Sequence, residues 1–135
     1  IQAVANAAGI GQHLRFLGVI TDPQELACAY ESASLHIFPV RQLPGDPEGF
    51  GMVAIEAAAH GLPTVAFATG GIVDAVAEGL SGYLVAPGDY VALAQAALRV
   101  LAAPSPDAWQ ASSRSFAAQF AWPMLGEKMR QALGA

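Results

Sequence analysis

Apolar residues fall into short dense runs separated by glycine, proline and acidic residues, and runs of strand length alternate with longer runs at helical spacing. Residues 2–8 carry a helical pattern that Gly9 and Gly11 end, and Leu14-Arg15-Phe16-Leu17 predicts a short strand closing on Gly18. Thr21-Asp22-Pro23 supplies a cap and a first-turn proline for a helix through Glu31. Leu35-His36-Ile37-Phe38 predicts a buried strand stopped by Pro39, and residues 39–47 form a polar, turn-rich loop. A helix then closes on Gly61, Pro63-Thr64-Val65-Ala66-Phe67 predicts a strand, and Gly70-Gly71 opens a short helix ending near Gly79. Gly82-Tyr83-Leu84-Val85 is a further strand, and Asp89 caps a long helix over residues 90–101. Pro104-Ser105-Pro106 breaks the chain before a helix through Gln119, and Phe120-Ala121-Trp122-Pro123 leads into a last helix. Trp122 reads as a ligand-stacking or a packing residue, and packing is favoured because aromatics dominate burial. Strand and helix alternate without an internal repeat, which predicts a parallel sheet with helices on its faces.

The stretch from Pro47 through Gly61 carries the chemistry. It reads as a glycine-rich loop entering a helix that a glycine at the C′ position terminates. Gly49 and Gly51 let the backbone come close to a ligand, and the helix start leaves amide N–H groups without intrahelical partners, which suits an anion. Glu56 is the only charge in a run of Met, Val, Ala and Ile, so burial is expected for it together with a partner. One partner is His60 at i+4, a purely structural pair. The other is a ligand. If the amides of Phe50, Gly51 and Met52 hold a diphosphate, Glu48 lies on one side and Glu56 on the other. At ~1.5 Å rise per residue they are roughly 10 Å apart, about the span from a sugar through a diphosphate to a ribose. Each carboxylate then accepts from a vicinal diol, and a nucleotide-sugar fits.

Composition narrows the alternatives. A chain of 135 residues, 54% hydrophobic and 13% charged, has ample material for one core. A net charge of -5 with six scattered Lys and Arg argues against nucleic-acid binding and does not favour an anionic membrane surface. The single cysteine, Cys28, excludes an internal disulfide and is expected to be a buried small hydrophobe. His13, His36 and His60 lack metal-site spacing.

Glu48 and Glu56, with seven residues between them in Glu-Gly-Phe-Gly and Glu-Ala-x-Ala-x-Gly-x-Pro, resemble the signature of retaining glycosyltransferases of family 4, which have the two-domain GT-B fold. Arg15-Phe16-Leu17-Gly18, Asp22-x-x-x-Leu26, Gly70-Gly71-Ile72, Gly82-Tyr83-Leu84-Val85-x-Pro87-Gly88-Asp89 and Phe120-x-Trp122 extend the likeness over nearly the entire chain. The resemblance implies an α/β, Rossmann-like parallel sheet with helices on both faces, the C-terminal half of a GT-B fold lacking its first two strands. Residues 1–135 would be a partial nucleotide-sugar-binding domain of the glycosyltransferase group 1 type, with 106–135 its C-terminal helices. In the strand order 3-2-1-4-5-6 the absent strands are central, so the strand at 14–17 would sit apart from the others. By the same resemblance an acceptor-binding N-terminal domain is missing, and the gap in the sheet is closed by other residues, another copy or a rearrangement.

The site residues implied are Glu48, catalytic and facing the sugar hydroxyls; Gly49; the amides of Phe50, Gly51, Met52 and Val53 at the distal phosphate; Glu56 at the ribose; and Gly18, Val19 and Ile20 at the base. Gly70 and Gly71 would shape the cleft edge, with Asp74 completing a helix cap. A departing nucleoside diphosphate carries about two negative charges, against which a helix start supplies only ~0.3 to 2 kcal/mol. Acceleration needs ~8 kcal/mol or more, so a cation must help. Arg41 is the nearest basic residue in sequence, read either as a donor clamp or as a solvated loop residue. The implied reaction uses no cofactor and no metal, and the implied setting is cytoplasmic, with peripheral association of the full-length enzyme at the inner membrane face allowed. The donor is UDP- or GDP-linked; the loop around Gly45-Asp46-Pro47 is similar to that of lipid-directed mannosyltransferases and leans toward GDP-mannose. Two other readings stay open, a nucleotide-binding module without turnover and a structural α/β domain in which Glu56 pairs with His60.

Overall fold

A computed structural model of the chain describes residues 1–41 and 49–134. Its centre is a sheet of three parallel strands, β1 (His36–Phe38), β2 (Thr64–Phe67) and β3 (Gly82–Val85), in that spatial order. His36 pairs with Thr64 and Thr64 with Gly82, so all three strands deliver their C-terminal ends to one edge. β2, the middle strand, is buried along its whole length.

Strand alternation sends successive side chains to opposite faces. Ala66 joins α3 (Met52–Ala59) and α4 (Ile72–Ala75) in one core layer, and Val65 and Phe67 join Leu93 and Val100 of α5 (Tyr90–Leu101) in the other. Helices therefore cover both faces, as expected of a Rossmann-like sheet. α6 (Pro106–Ala117) lies along α3, where Ala57, Ala58, Ser113 and Ala117 are all buried and small enough for the backbones to approach closely. A 3-10 turn (Ala118–Phe120) and α7 (Trp122–Leu133) complete the chain. Among the described residues no helix is long and apolar enough to cross a membrane.

Helix ends follow the sequence closely. The Asp22 side chain accepts from the Gln24 amide at 2.8 Å, Pro23 opens α2 (Pro23–Ser32), and Asp89 accepts from the Ala92 amide at 2.8 Å to cap α5. At the end of α3 the Gly61 amide donates to Ala58 and the Leu62 amide to Ala57, both at 2.9 Å, with Gly61 at φ 80°. This is the glycine-terminated helix end that the sequence predicts.

Several expectations fail here, among them a buried β1, whose Ile37 is 50% exposed. Residues 14–17 form no strand; Leu14, Phe16 and Leu17 are exposed after a short helix α1 (Gln2–Ala7) and a 3-10 turn (Gly11–His13), because no described strand lies beside them to complete a ladder. Cys28 is exposed, since its apolar neighbours belong to a helix with no buried residue. α4 stops at Ala75 rather than near Gly79, with Val76 already extended, and Asp74 makes no capping bond. Trp122 is 83% exposed, so packing is not its role among the described residues.

His36 gives a stability signature. Its Nδ1 lies 3.1 Å from Thr64 Oγ1 beside the rings of Phe38 and Tyr30, and burial pushes its imidazole below the ordinary value. The unfolded chain then takes up this proton first, so stability is complete above the ordinary value of about 6.5 and falls as pH drops through the folded-state value. His36→Gln is expected to flatten the acid limb of a urea-midpoint profile below about pH 6.5.

Candidate functional site

The loops leaving β1 and β2 meet at the C-terminal edge of the sheet, where α/β folds of this kind bind ligands. Their junction is one hydrogen bond, from the Gly71 amide to the Gly49 carbonyl at 2.8 Å. A Cβ on residue 71 would lie 2.0 Å from that oxygen, so only glycine permits the approach. The ring of Phe50 packs 5.5 Å from Phe120, which fixes the loop on its other side.

Gly51 is the N-cap of α3, at φ 73° and ψ 44°, a left-handed conformation that favours glycine. It is also buried, and a Cβ there would press on the Ile72 side chain at 3.2 Å. This turn aims the helix start outward. No described side chain caps it, and the first amide to find a described partner is that of Ala54, which donates to Gly51 O at 2.9 Å. Among the described residues no carbonyl takes the amides of Phe50, Gly51, Met52 or Val53. Met52 and Val53 are exposed, 58% and 37%.

Glu56 corrects the sequence reading. It is exposed rather than buried, because α3 buries the stripe of Ala54, Ile55, Ala57 and Ala58 and turns Met52, Val53 and Glu56 outward. It does not pair with His60. Its Oε2 accepts from the Tyr30 hydroxyl at 3.3 Å, while His60 Nδ1 lies 3.2 Å from Glu31 Oε1 and the His60 ring stacks on Tyr30 at 5.4 Å. Burial, and then the adjacent Glu56 carboxylate, push the Tyr30 phenol above its ordinary value.

Glu48 and the loop with Gly45-Asp46-Pro47 lie outside the described residues. Arg41 is exposed just beyond β1. Gly18, with φ 71°, and Val19, 91% exposed, belong to the irregular segment before α2, with Ile20 half-buried. Gly49, Phe50, Gly51, Met52, Val53 and Glu56 are thus brought together on one loop and helix, and Gly70 and Gly71 border them. Two residues beside the site escaped the sequence reading. Tyr30 is 26 residues from Glu56 and no spacing joins them. Thr69 is 3% exposed with a hydroxyl that has no partner among the described residues, immediately before Gly70. Among the described residues no group of three His, Cys, Asp or Glu is placed to hold a metal ion.

The parallel sheet with helices on both faces is shared with solved glycosyltransferases of the GT-B fold, of which the chain matches a fragment. The chain belongs to the family described as glycosyl transferases group 1, which matches residues 1–103. D-inositol 3-phosphate glycosyltransferase 2 of Catenulispora acidiphila is 39% identical over 126 residues, covering 90% of this chain and 27% of its own. Among solved structures, sucrose-phosphate synthase from Thermosynechococcus elongatus superposes with a TM-score of 0.76 at 33% identity, over 98% of this chain and 33% of that one. Anabaena HepE, solved in complex with UDP, gives a TM-score of 0.79 at 25% identity, over 96% of this chain and 34% of that one. The chain thus spans about three-tenths of the curated relatives it matches, 27% and 30% for the first two.

Proposed function

We propose that this chain is the donor-binding part of a retaining glycosyltransferase of family 4, which moves a sugar from a UDP- or GDP-linked donor to an acceptor hydroxyl. The observation that carries the reading is the start of α3, which no described side chain caps, with amides at Phe50, Gly51, Met52 and Val53 that no described carbonyl takes. Such an end attracts phosphate by its free donors and by the helix dipole. The distal phosphate lies on these amides, Glu56 accepts from the ribose diol one turn along the helix, and Glu48 faces the sugar as the catalytic carboxylate. Gly18, Val19 and Ile20 contact the base.

In this reading the diphosphate charge is met by the amides and by Arg41, and no metal or cofactor takes part. Transfer needs the acceptor-binding domain, so this chain alone binds donor without turning it over. The whole enzyme works in the cytoplasm, with peripheral contact at the inner membrane face. Support for a nucleotide donor comes from the UDP complex of the structural relative HepE, and the names of the curated relatives make D-inositol 3-phosphate the first acceptor to test.

Calorimetric titration of the chain with UDP, GDP and their sugars tests this. Saturable binding of at least one is expected, and no heat with any of them would leave only a structural domain. Arg41→Ala is expected to weaken nucleoside diphosphate binding about three- to tenfold, as for a charge-assisted contact of ~1 kcal/mol, and to leave binding of the uncharged nucleoside unchanged. Equal diphosphate affinity in both proteins would return Arg41 to the solvated loop.

A further inference from the structure

We infer that Tyr30 is a positioning residue of the donor site, holding the Glu56 carboxylate ready for the ribose. The inference rests on the reading of Glu56 given above. A glutamate on the exposed face of a helix samples several rotamers, and ordering it on binding costs affinity. Here that ordering is done in advance. The Tyr30 hydroxyl donates to Oε2 at 3.3 Å, and no other described group donates to Glu56, which leaves Oε1 for a diol.

Tyr30 is itself held. Its ring stacks on His60 at 5.4 Å with planes 13° apart and meets the edge of His36 at 6.5 Å and 86°. His60 is in turn tied to Glu31, the residue after Tyr30 on α2, at 3.2 Å. The titratable groups around the phenol are therefore Glu31 of α2, Glu56 and His60 from α3 and its end, and His36 of β1. Burial and the neighbouring carboxylate keep the phenol protonated, hence a donor, beyond the ordinary tyrosine range. The arrangement makes α2 part of the nucleotide site although it is remote from α3 in sequence. It also accounts for a tyrosine hydroxyl bonded to an exposed acid, a contact that adds little stability on its own.

Tyr30→Phe removes the hydroxyl and keeps the ring. The experiment measures dissociation constants of the wild-type chain, Tyr30→Phe and Glu56→Ala for UDP and GDP and for their 2′,3′-dideoxy forms. The wild type is expected to prefer the ribo form, and Glu56→Ala to lose that preference. Tyr30→Phe is expected to lower it by about three- to tenfold with dideoxy affinity unchanged, which also reports an intact fold. A wild-type preference retained in Tyr30→Phe, or an equal loss for ribo and dideoxy forms, overturns the positioning role while leaving the reading of Glu56 in place. No preference in the wild type, or no binding at all, overturns that reading and the inference together.

Discussion

Gly71→Ala is expected to abolish nucleotide binding and to cost about 2 to 4 kcal/mol of stability, the sum of one overpacked contact and one lost hydrogen bond. The cause is space and not dihedral strain. Residue 71 has φ -76° and ψ 0°, which any residue adopts, but an added Cβ lies 2.0 Å from the Gly49 oxygen and 2.9 Å from the Phe50 Cα. Relief requires moving that carbonyl, which breaks its 2.8 Å bond from the Gly71 amide and releases the loop that aims the α3 amides. Gly88→Ala is the control: φ there is 80° and nothing lies within 4 Å, so only the left-handed backbone costs, about 1 kcal/mol, with binding intact. Urea midpoints and nucleotide titration on the two variants check this. Full binding by Gly71→Ala would mean that the Gly49–Gly71 junction does not shape the site.

The second large effect separates function from stability. Glu56→Ala is expected to weaken binding of a nucleoside diphosphate by about ten- to hundredfold, the worth of hydrogen bonds to a charged acceptor, ~1.5 to 3 kcal/mol. Its stability is expected to stay within about 0.5 kcal/mol, as for exposed substitutions. The carboxylate lies on the exposed face of α3, its one described partner is the Tyr30 hydroxyl at 3.3 Å, and alanine suits a helix at least as well as glutamate. The opposite pattern, a large stability loss with unchanged affinity, would restore a structural role. Thermal or urea unfolding beside calorimetry on the same variant distinguishes the two.

These residues also show what the amino-acid order reveals by itself. The caps at Asp22 and Asp89 and the helix end at Gly61 were legible because each depends on neighbours within a few positions, and the three strands because each is a short apolar run bounded by turn residues. A helix start after a glycine-rich loop was legible too, but the left-handed N-cap at Gly51 was not, because there the glycine was read as room for a ligand. Burial was less legible. Glu56 sits among apolar residues, yet a helix buries only one stripe, and Met52 and Val53 share its exposed face. The segment at 14–17 has a strand's composition without a described strand to pair with, and pairing is not a local property. Cys28 and Trp122 misled in the same way, since an apolar residue is buried only where another element covers it. Tyr30 was invisible because its bond to Glu56 joins two helices separated by a strand.

The central claim is that the amides opening α3 receive a phosphate. An amide-resolved NMR titration of the 15N-labelled chain with UDP and with GDP reads it directly. The account predicts the largest downfield proton shifts at Phe50, Gly51, Met52 and Val53, saturating together with one dissociation constant and reduced in parallel by Glu56→Ala. Saturable binding with those four signals unmoved and the largest shifts elsewhere on the chain would contradict it.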